Sequence, residues 1–301
     1  MIDQRLVTFL TVCSTKNFTK AAGLLNLTQP AVTKHIQYLE NYYGSTLFRQ
    51  QGRQIHLTEA GRILYEFAQD LEAKAAVLER RIQNSRAAAQ RYSIGATLTI
   101  GEYILPYILG EYKAGHPDRD ILMRVHNTVE ITKKLLNGEI DLGLVEGPFD
   151  KRKFCFMKLM DDELVLAAAP RSGLAQQGEV EFLEVLQSKL ILREAGSGTR
   201  KVLEDKVGEL GYPPNRLKAY MEIGSLGAIK SLVRLDLGYT IISKSAIANE
   251  LNAGSLVSIP IKGVKIMREF NFIYQKESPA EFVSDFTAFA TASTAAAFNQ
   301  V

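Results

Sequence analysis

Two groups of residues have the types and spacing to do chemistry. Gln29, Thr33 and Gln37 stand four apart, as do Pro30 and Lys34, so on a helix they form neighbouring rows of one surface. Glutamine amides pair with adenine edges, threonine and proline offer apolar contact to thymine methyls, and a lysine reaches a phosphate or a guanine. Taken alone, the same stripe would fit any solvated helix face. The second group is Gly196-Ser-Gly-Thr, which follows the apolar stretch Leu190–Leu192 and opens a helix. Its glycines let a ligand approach the backbone, Ser197 and Thr199 supply hydroxyls, and the helix start favours negative charge. That is the chemistry of holding a small anion, although a loop that only caps its helix reads the same way.

Catalysis finds no comparable support. His35, His56, His116 and His126 fall in no arrangement of nucleophile and positioned base. No phosphate-loop or dinucleotide signature is present, and no His/Cys spacing suits zinc. The expectation is a protein that is not an enzyme, with no cofactor and no metal. Cys13 and Cys155 are too far apart for a metal cage, and buried thiols are favoured over a redox switch.

The elements that must position the first group are legible nearby. Leu6, Phe9, Leu10 and Cys13 recur at helical spacing, and Asn17 caps a short second helix through Ala21, Ala22, Leu24 and Leu25. Asn26-Leu27 breaks the run, and Thr28 caps a third helix with Pro30 in its first turn, where no hydrogen bond is lost. Val32, Ile36, Leu39 and Tyr43 form its core stripe, which leaves the Gln/Thr/Lys stripe outward. Two helices, a tight turn and this polar face together favour a major-groove reader over a merely solvated helix. Leu47-Phe48-Arg49 and Ile55-His56-Leu57 read as two strands joined around Gly52, a wing from which Arg49 and Arg53 project toward the backbone or the minor groove, or sit simply as surface charges. The first ninety residues carry 11 Lys and Arg against 7 Asp and Glu, the remainder 25 against 26; the basic excess has the sign a phosphate-binding module needs.

At 301 residues, with 46% hydrophobic and 23% charged residues, the chain suits two or three soluble folding units. The early apolar run Leu6–Cys13 is too short to cross a bilayer, and the chain is read as cytoplasmic with no membrane partner. Beyond Thr58, Leu64, Leu71 and Leu78 recur every seven residues with Ala68, Ala75 and Ile82 four places after each, and no Pro or Gly intervenes from Ile63 to Arg91. This predicts one long helix that pairs with a partner, in preference to a buried intradomain helix.

Phe18-Thr-Lys-Ala-Ala, Leu27-Thr-Gln-Pro-Ala-Val-Thr-Lys, Leu47-Phe-Arg and Leu57-Thr-Glu-Ala-Gly resemble the LysR-type transcriptional regulators. The family commonly carries Ser and Arg where this chain has Thr33 and Lys34; lysine lacks the two-pronged geometry of arginine, so base preference does not carry over. The resemblance implies a winged helix-turn-helix over 1–58, a dimerising linker helix over 59–90 and an effector-binding domain over 91–301. It implies contacts to double-stranded DNA from Thr19, Thr28, Gln29, Pro30, Ala31, Thr33, Lys34, Gln37 and Arg53. A homodimer, or the homotetramer common in the family, would read an inverted repeat.

From Tyr92 onward short apolar runs alternate with amphipathic helices: Ser93–Ala96, Ile121–Val125, Asp141–Val145, Leu164–Ala169, Leu190–Leu192, Lys218–Met221 and Tyr239–Ile242. The class is α/β. Leu135-Leu-Asn-Gly-Glu-Ile-Asp-Leu-Gly-Leu-Val and Leu237-Gly-Tyr-Thr-Ile-Ile are similar to the family's sensor domain. That likeness implies a fold like type II periplasmic binding proteins, with lobe one at about 92–165 and 267–301, lobe two at about 166–266, and a cleft between. Ligands in such sheets lie beyond the carboxyl ends of strands, which selects Thr97, Leu98, Thr99, Ile100, Thr128, Gly196, Ser197, Gly198, Thr199 and, more peripherally, Ser225. Glu146 is expected at a rim or hinge because a carboxylate repels an anion; Arg193 and Arg200 either compensate charge or sit on the surface. The expected effector is a small anion or carboxylate. The competing classes are a solute-binding protein, which should ignore DNA, and an enzyme fused to a DNA-binding module, which should consume its ligand.

Overall fold

The computed structural model describes residues 2–51, 54–84 and 90–298, and the chain divides into two compact units, an N-terminal head and a larger C-terminal unit. The head opens with α1 (Gln4–Thr15), α2 (Phe18–Leu25) and α3 (Gln29–Tyr43). Each helix begins on a side-chain cap: Asp3 accepts from the Arg5 N–H at 2.8 Å, Asn17 from Lys20 at 3.0 Å and Thr28 from Ala31 at 3.4 Å. These pair backbone donors that have no partner inside the helix. Each helix ends on a left-handed residue, Lys16, Asn26 or Gly44, and Asn26 makes the tight turn that reorients the chain from α2 into α3.

Phe9, Val12, Ala21, Val32, Ile36, Leu39 and Leu47 form the head's core. Tyr43 departs from the expected stripe: it is 49% exposed. It is the last residue of α3, with Gly44 ending the helix immediately after it, and it lines an apolar groove with Leu47, Ile63 and Phe67 instead. The wing is β1 (Phe48–Gln51) and β2 (Gln54–Leu57), antiparallel, with Arg49 opposite His56. Phe48 ties it to the helices through the rings of Phe9 and Phe18, with centroids 5.3 and 5.9 Å away. Gly52 and Arg53, expected at the wing's tip, lie outside the described residues.

Helix α4 (Glu59–Asn84) follows. Its first turn presses on the start of the wing because Gly61 has no side chain: a Cβ there would lie 2.1 Å from the Leu47 carbonyl oxygen. Leu64 and Ala68 join the head's core, while Ile63, Phe67, Leu71, Leu78 and Ile82 are exposed. The helix does not continue to Arg91 as the absence of a breaker predicted. Gln90 and Arg91 are already in a strand, paired with Arg119 and Asp120; pairing in the ladder outweighs helix propensity there.

In the larger unit β3 (Gln90–Ala96) leads through a π-helical turn at Ile100–Ile104 into α5 (Leu105–Gly115), then β4 (Arg119–Val125), α6 (Thr128–Leu136) and β5 (Leu142–Glu146). Strand β3 lies parallel between β4 and β5, with Ala96 level with Val125 and Leu144, so the loops after all three strands emerge on one edge. The 14-residue β6 (Cys155–Ala168) crosses into a second lobe built from α7 (Gly173–Gln177), α8 (Phe182–Gln187), β7 (Ile191–Leu192), α9 (Gly198–Glu209), β8 (Met221–Glu222), α10 (Leu226–Arg234), β9 (Thr240–Ser243), α11 (Ala248–Asn252) and β10 (Val257–Ile259). Strand β11 (Ile266–Tyr274) returns to the first lobe, and α12 (Ala280–Phe298) covers it.

The main sheet runs β10-β6-β11-β5-β3-β4, with β9 also on β6. Thus β6 and β11, paired antiparallel, are the two crossings that join the lobes. Each lobe keeps its own core: Ile94, Ile104, Tyr112, Phe270, Phe282 and Phe286 in the first, Leu166, Val185, Leu190, Ile241 and Ile259 in the second. The first lobe is stapled by the Tyr112 hydroxyl donating to Asp285 at 2.7 Å, with Arg119 bonding both. The strand expected at Lys218–Met221 is shorter, Met221–Glu222, because its partner β7 is only two residues long and pairs Ile191 with Met221 and Leu192 with Glu222.

Candidate functional site

In the head, Thr19, Thr28, Gln29, Pro30, Lys34 and Gln37 are exposed, and Ala31 and Thr33 are half-buried. The Thr33 hydroxyl donates to the Gln29 carbonyl at 3.0 Å and remains an acceptor. The helix carrying them is held from behind: the Thr8 hydroxyl donates to the Gln4 carbonyl and so accepts from His35 Nδ1, both at 2.8 Å, fixing α3 against α1. His35 is therefore a positioning residue. Burial pushes the Cys13 thiol up to about 12, so at neutral pH it is an unreactive packing group.

In the larger unit the chain segments expected to meet do so at the carboxyl ends of the parallel strands. The Thr97 N–H bonds the Leu144 carbonyl at 3.0 Å. The Thr99 hydroxyl donates to Glu146 Oε1 at 3.0 Å, and Thr128 donates to the Glu146 carbonyl at 3.1 Å. The first turn of α9 touches the same place: a Cβ on Gly198 would lie 1.9 Å from the Glu146 carbonyl oxygen, and one on Gly147, whose φ is +87°, would lie 2.9 Å from Gly198 Cα. These two glycines permit a backbone approach that no side chain would allow. Gly196 is at φ +87° and faces Asn127 and Val129.

The centre of this meeting is Arg268 on β11, which the residue patterns did not select. Its Nε donates to Asp162 at 2.7 Å, Nη1 to Thr199 at 2.9 Å and Nη2 to Thr99 at 3.3 Å, with Glu146 Oε1 3.5 Å from Nη1. Asp162 is its cross-strand neighbour on β6 and also accepts from Ser243 at 2.7 Å and Ser245 at 3.3 Å. One guanidinium thus ties both crossing strands to Thr99 of the first lobe and Thr199 of the second. A usable signal was present: Ile266, Arg268 and Phe270 alternate on β11, and Asp162 and Leu164 on β6, so both charges fall in phase with buried apolar residues.

Glu146 is no rim group. It is 1% exposed, because it closes the buried end of β5 and is paired with Thr99 and Arg268 rather than with solvent. Ile100 buries its side chain in the first lobe's core, so only its backbone is open to a ligand, whereas Leu98 is half-buried and packs against the second lobe. Ser225 accepts from the Ala228 N–H at 3.3 Å as the cap of α10, and no bond joins it to the Arg268 cluster. Arg200 is engaged by Glu204 at 2.9 Å and Glu222 at 2.7 Å, and its bond holds the Glu222 carboxyl below the usual range. Arg193 is buried and paired with Glu194 at 2.8 Å.

Buried polar atoms left without a partner are costly, and each calls for an explanation. Of six such side-chain atoms among the described residues, four lie on these strand ends and loops: Thr97 Oγ1, Glu146 Oε2, Arg193 Nη1 and Ser197 Oγ. Among the described residues no group of His, Cys, Asp and Glu could hold a metal ion, and no helix is long and apolar enough to cross a membrane.

Comparison with known proteins agrees with this arrangement. Residues 4–62 match the bacterial regulatory helix-turn-helix model of the lysR family, and residues 85–295 match the LysR substrate binding domain. The uncharacterized HTH-type transcriptional regulator YeiE of Escherichia coli K12 is 32% identical over 274 residues, 91% of each chain. Among solved structures, a mutant of Corynebacterium glutamicum OxyR has a TM-score of 0.61 at 24% identity, covering 97% of this chain and 91% of that one. The CcmR regulatory domain of Synechocystis PCC6803, in complex with 2-PG, has a TM-score of 0.59 at 22% identity, covering 66% of this chain and 97% of that domain. Two matched modules in sequence, a winged helix-turn-helix before a two-lobed α/β effector-binding domain, make this chain a member of the LysR-type transcriptional regulators.

Proposed function

We propose that the chain is a non-catalytic regulator that reads an inverted repeat in double-stranded DNA as a homodimer and answers to a small acidic effector held between the lobes of its larger unit. The observation that carries the effector reading is the cluster of unpartnered buried groups. The Ser197 and Thr97 hydroxyls and Arg193 Nη1 are donors without acceptors, and Ser197 stands at the start of α9, where free N–H groups and the helix dipole favour an anion. CcmR, with its 2-PG, supports an acidic ligand by analogy of fold.

For DNA, Gln29, Pro30 and Thr33 read base edges, Lys34 and Arg53 grip phosphate or groove, and Thr19, Thr28, Ala31 and Gln37 complete the face. The exposed apolar row Phe67, Leu71, Leu78 and Ile82 on α4 pairs with a second copy, which gives two reading helices and selectivity that one lacks. Effector binding draws the lobes together around Arg268 and changes the spacing or bend of the paired heads, a coupling free energy between two sites.

The test is thermal melting of the purified chain against sulfite, sulfate, nitrate, phosphate and simple carboxylates, with a Ser197→Ala variant alongside. An effector at a hundredfold excess over its Kd adds about 2.7 kcal/mol and raises the melting midpoint by several degrees; the variant loses the shift. DNA footprints with and without that effector then read the coupling, and identical footprints reject it.

A further inference from the structure

The buried charges around Arg268 do not balance. The side chains of Arg268, Asp162 and Glu146 are 1%, 0% and 1% exposed, two carboxylates against one guanidinium. Asp162 is fully served, by Arg268 on one oxygen and by Ser243 and Ser245 on the other. Glu146 is held at Oε1 only, and its Oε2 is buried without a donor. A bare oxyanion entering this site adds negative charge to a cluster already in excess and offers Oε2 nothing, since an ionised carboxylate oxygen only accepts.

We propose that the effector is a zwitterion in which an ammonium group accompanies the acidic one, the ammonium meeting Glu146 and the acid meeting Ser197 and the start of α9. This rests on the effector-cleft reading above and names its ligand class. The two orphan types support it: donors at Thr97, Ser197 and Arg193 await an acceptor, and Glu146 Oε2 awaits a donor. An ammonium supplies both the missing positive charge and three N–H groups, whereas a hydroxyl supplies only a donor. The two ends of the site adjoin, because Arg268 Nη1 lies 2.9 Å from Thr199 in the first turn of α9 and 3.5 Å from Glu146 Oε1, so the skeleton is short, of amino-acid size.

The experiment is melting of the full-length protein with the common amino acids, each beside its deaminated and hydroxylated analogues (for alanine, propionate and lactate), with sulfate and nitrate as donor-free anions. At least one amino acid raises the midpoint where its analogues at equal concentration do not. Glu146→Gln lowers the affinity for it about 10- to 100-fold, the worth of a hydrogen bond to a charged group. Without ligand this variant still folds, since its amide oxygen accepts from Thr99 as the carboxylate does, and a far-ultraviolet circular dichroism spectrum like the parent's checks it. An analogue lacking the ammonium that binds as tightly, an unchanged affinity in Glu146→Gln, or no shift with any amino acid overturns the zwitterion. A shift from a donor-free anion that Ser197→Ala abolishes does so while leaving the cleft reading standing; silence from every compound overturns both.

Discussion

The head and the larger unit solve the problem of recognition in opposite ways. On the proposed reading the head presents most of its DNA-contacting groups on the exposed face of α3, and behind it holds one part-buried polar pair, Thr8 with His35. The larger unit assembles its site from residues as far apart as Thr99 and Arg268, joined by bonds within a nearly dry cluster. A site on one helix tolerates loss of a member, because each group acts independently. A buried network does not, because each partner removed leaves another unpaired.

That contrast ranks the expected effects. Arg268→Met leaves Asp162 and Glu146 buried without their cation and destabilises the larger unit by about 3–5 kcal/mol, measured by urea unfolding; the Phe9–Val32 core of the head keeps its own stability. Gly198→Ala, whose methyl meets the Glu146 carbonyl, costs about 1–3 kcal/mol and weakens effector binding in the same titration. Gln29→Ala costs about 1–3 kcal/mol on the preferred sequence and little on random DNA, whereas Lys34→Ala weakens every duplex and lowers the salt slope by about 1. Equal losses from both on all sequences would break the division between reading and gripping.

Smaller still is the surface staple of the first lobe. The Tyr112 bond, with help from Arg119, holds the Asp285 carboxyl below its usual range. Its contribution is therefore complete at neutral pH and lost as the pH falls through the depressed value. Asp285 is partly exposed, so Asp285→Asn costs only about 1 kcal/mol and flattens the acid limb of the stability curve. Ser197→Ala is the smallest, within about 0.5 kcal/mol of the parent without ligand, since that hydroxyl has no partner to lose.

The same contrast decides what a sequence reveals. Caps at Asn17 and Thr28, the buried row Val32, Ile36 and Leu39, and the wing strands are local patterns, and periodicity exposes them. Periodicity puts Tyr43 in the core stripe because it does not say where a helix ends. In the larger unit the glycine loop at Gly196 and Gly198 was legible from residue type, but Glu146 was placed at a rim because its sign argued against an anion. Its burial depends on Arg268, 122 positions away in the chain, and only the β6–β11 ladder that sets Arg268 opposite Asp162 brings that charge to the site.

The most direct test of the central claim, that this is a sequence-reading regulator built on α3, is selection of bound duplexes from a random pool, by the parent and by Gln29→Ala. Enrichment of an inverted repeat with half-sites about one helical turn apart or a multiple of it, relaxed at defined positions in the variant, is the predicted result. A pool that stays random, or an identical selected motif from both proteins, would contradict it.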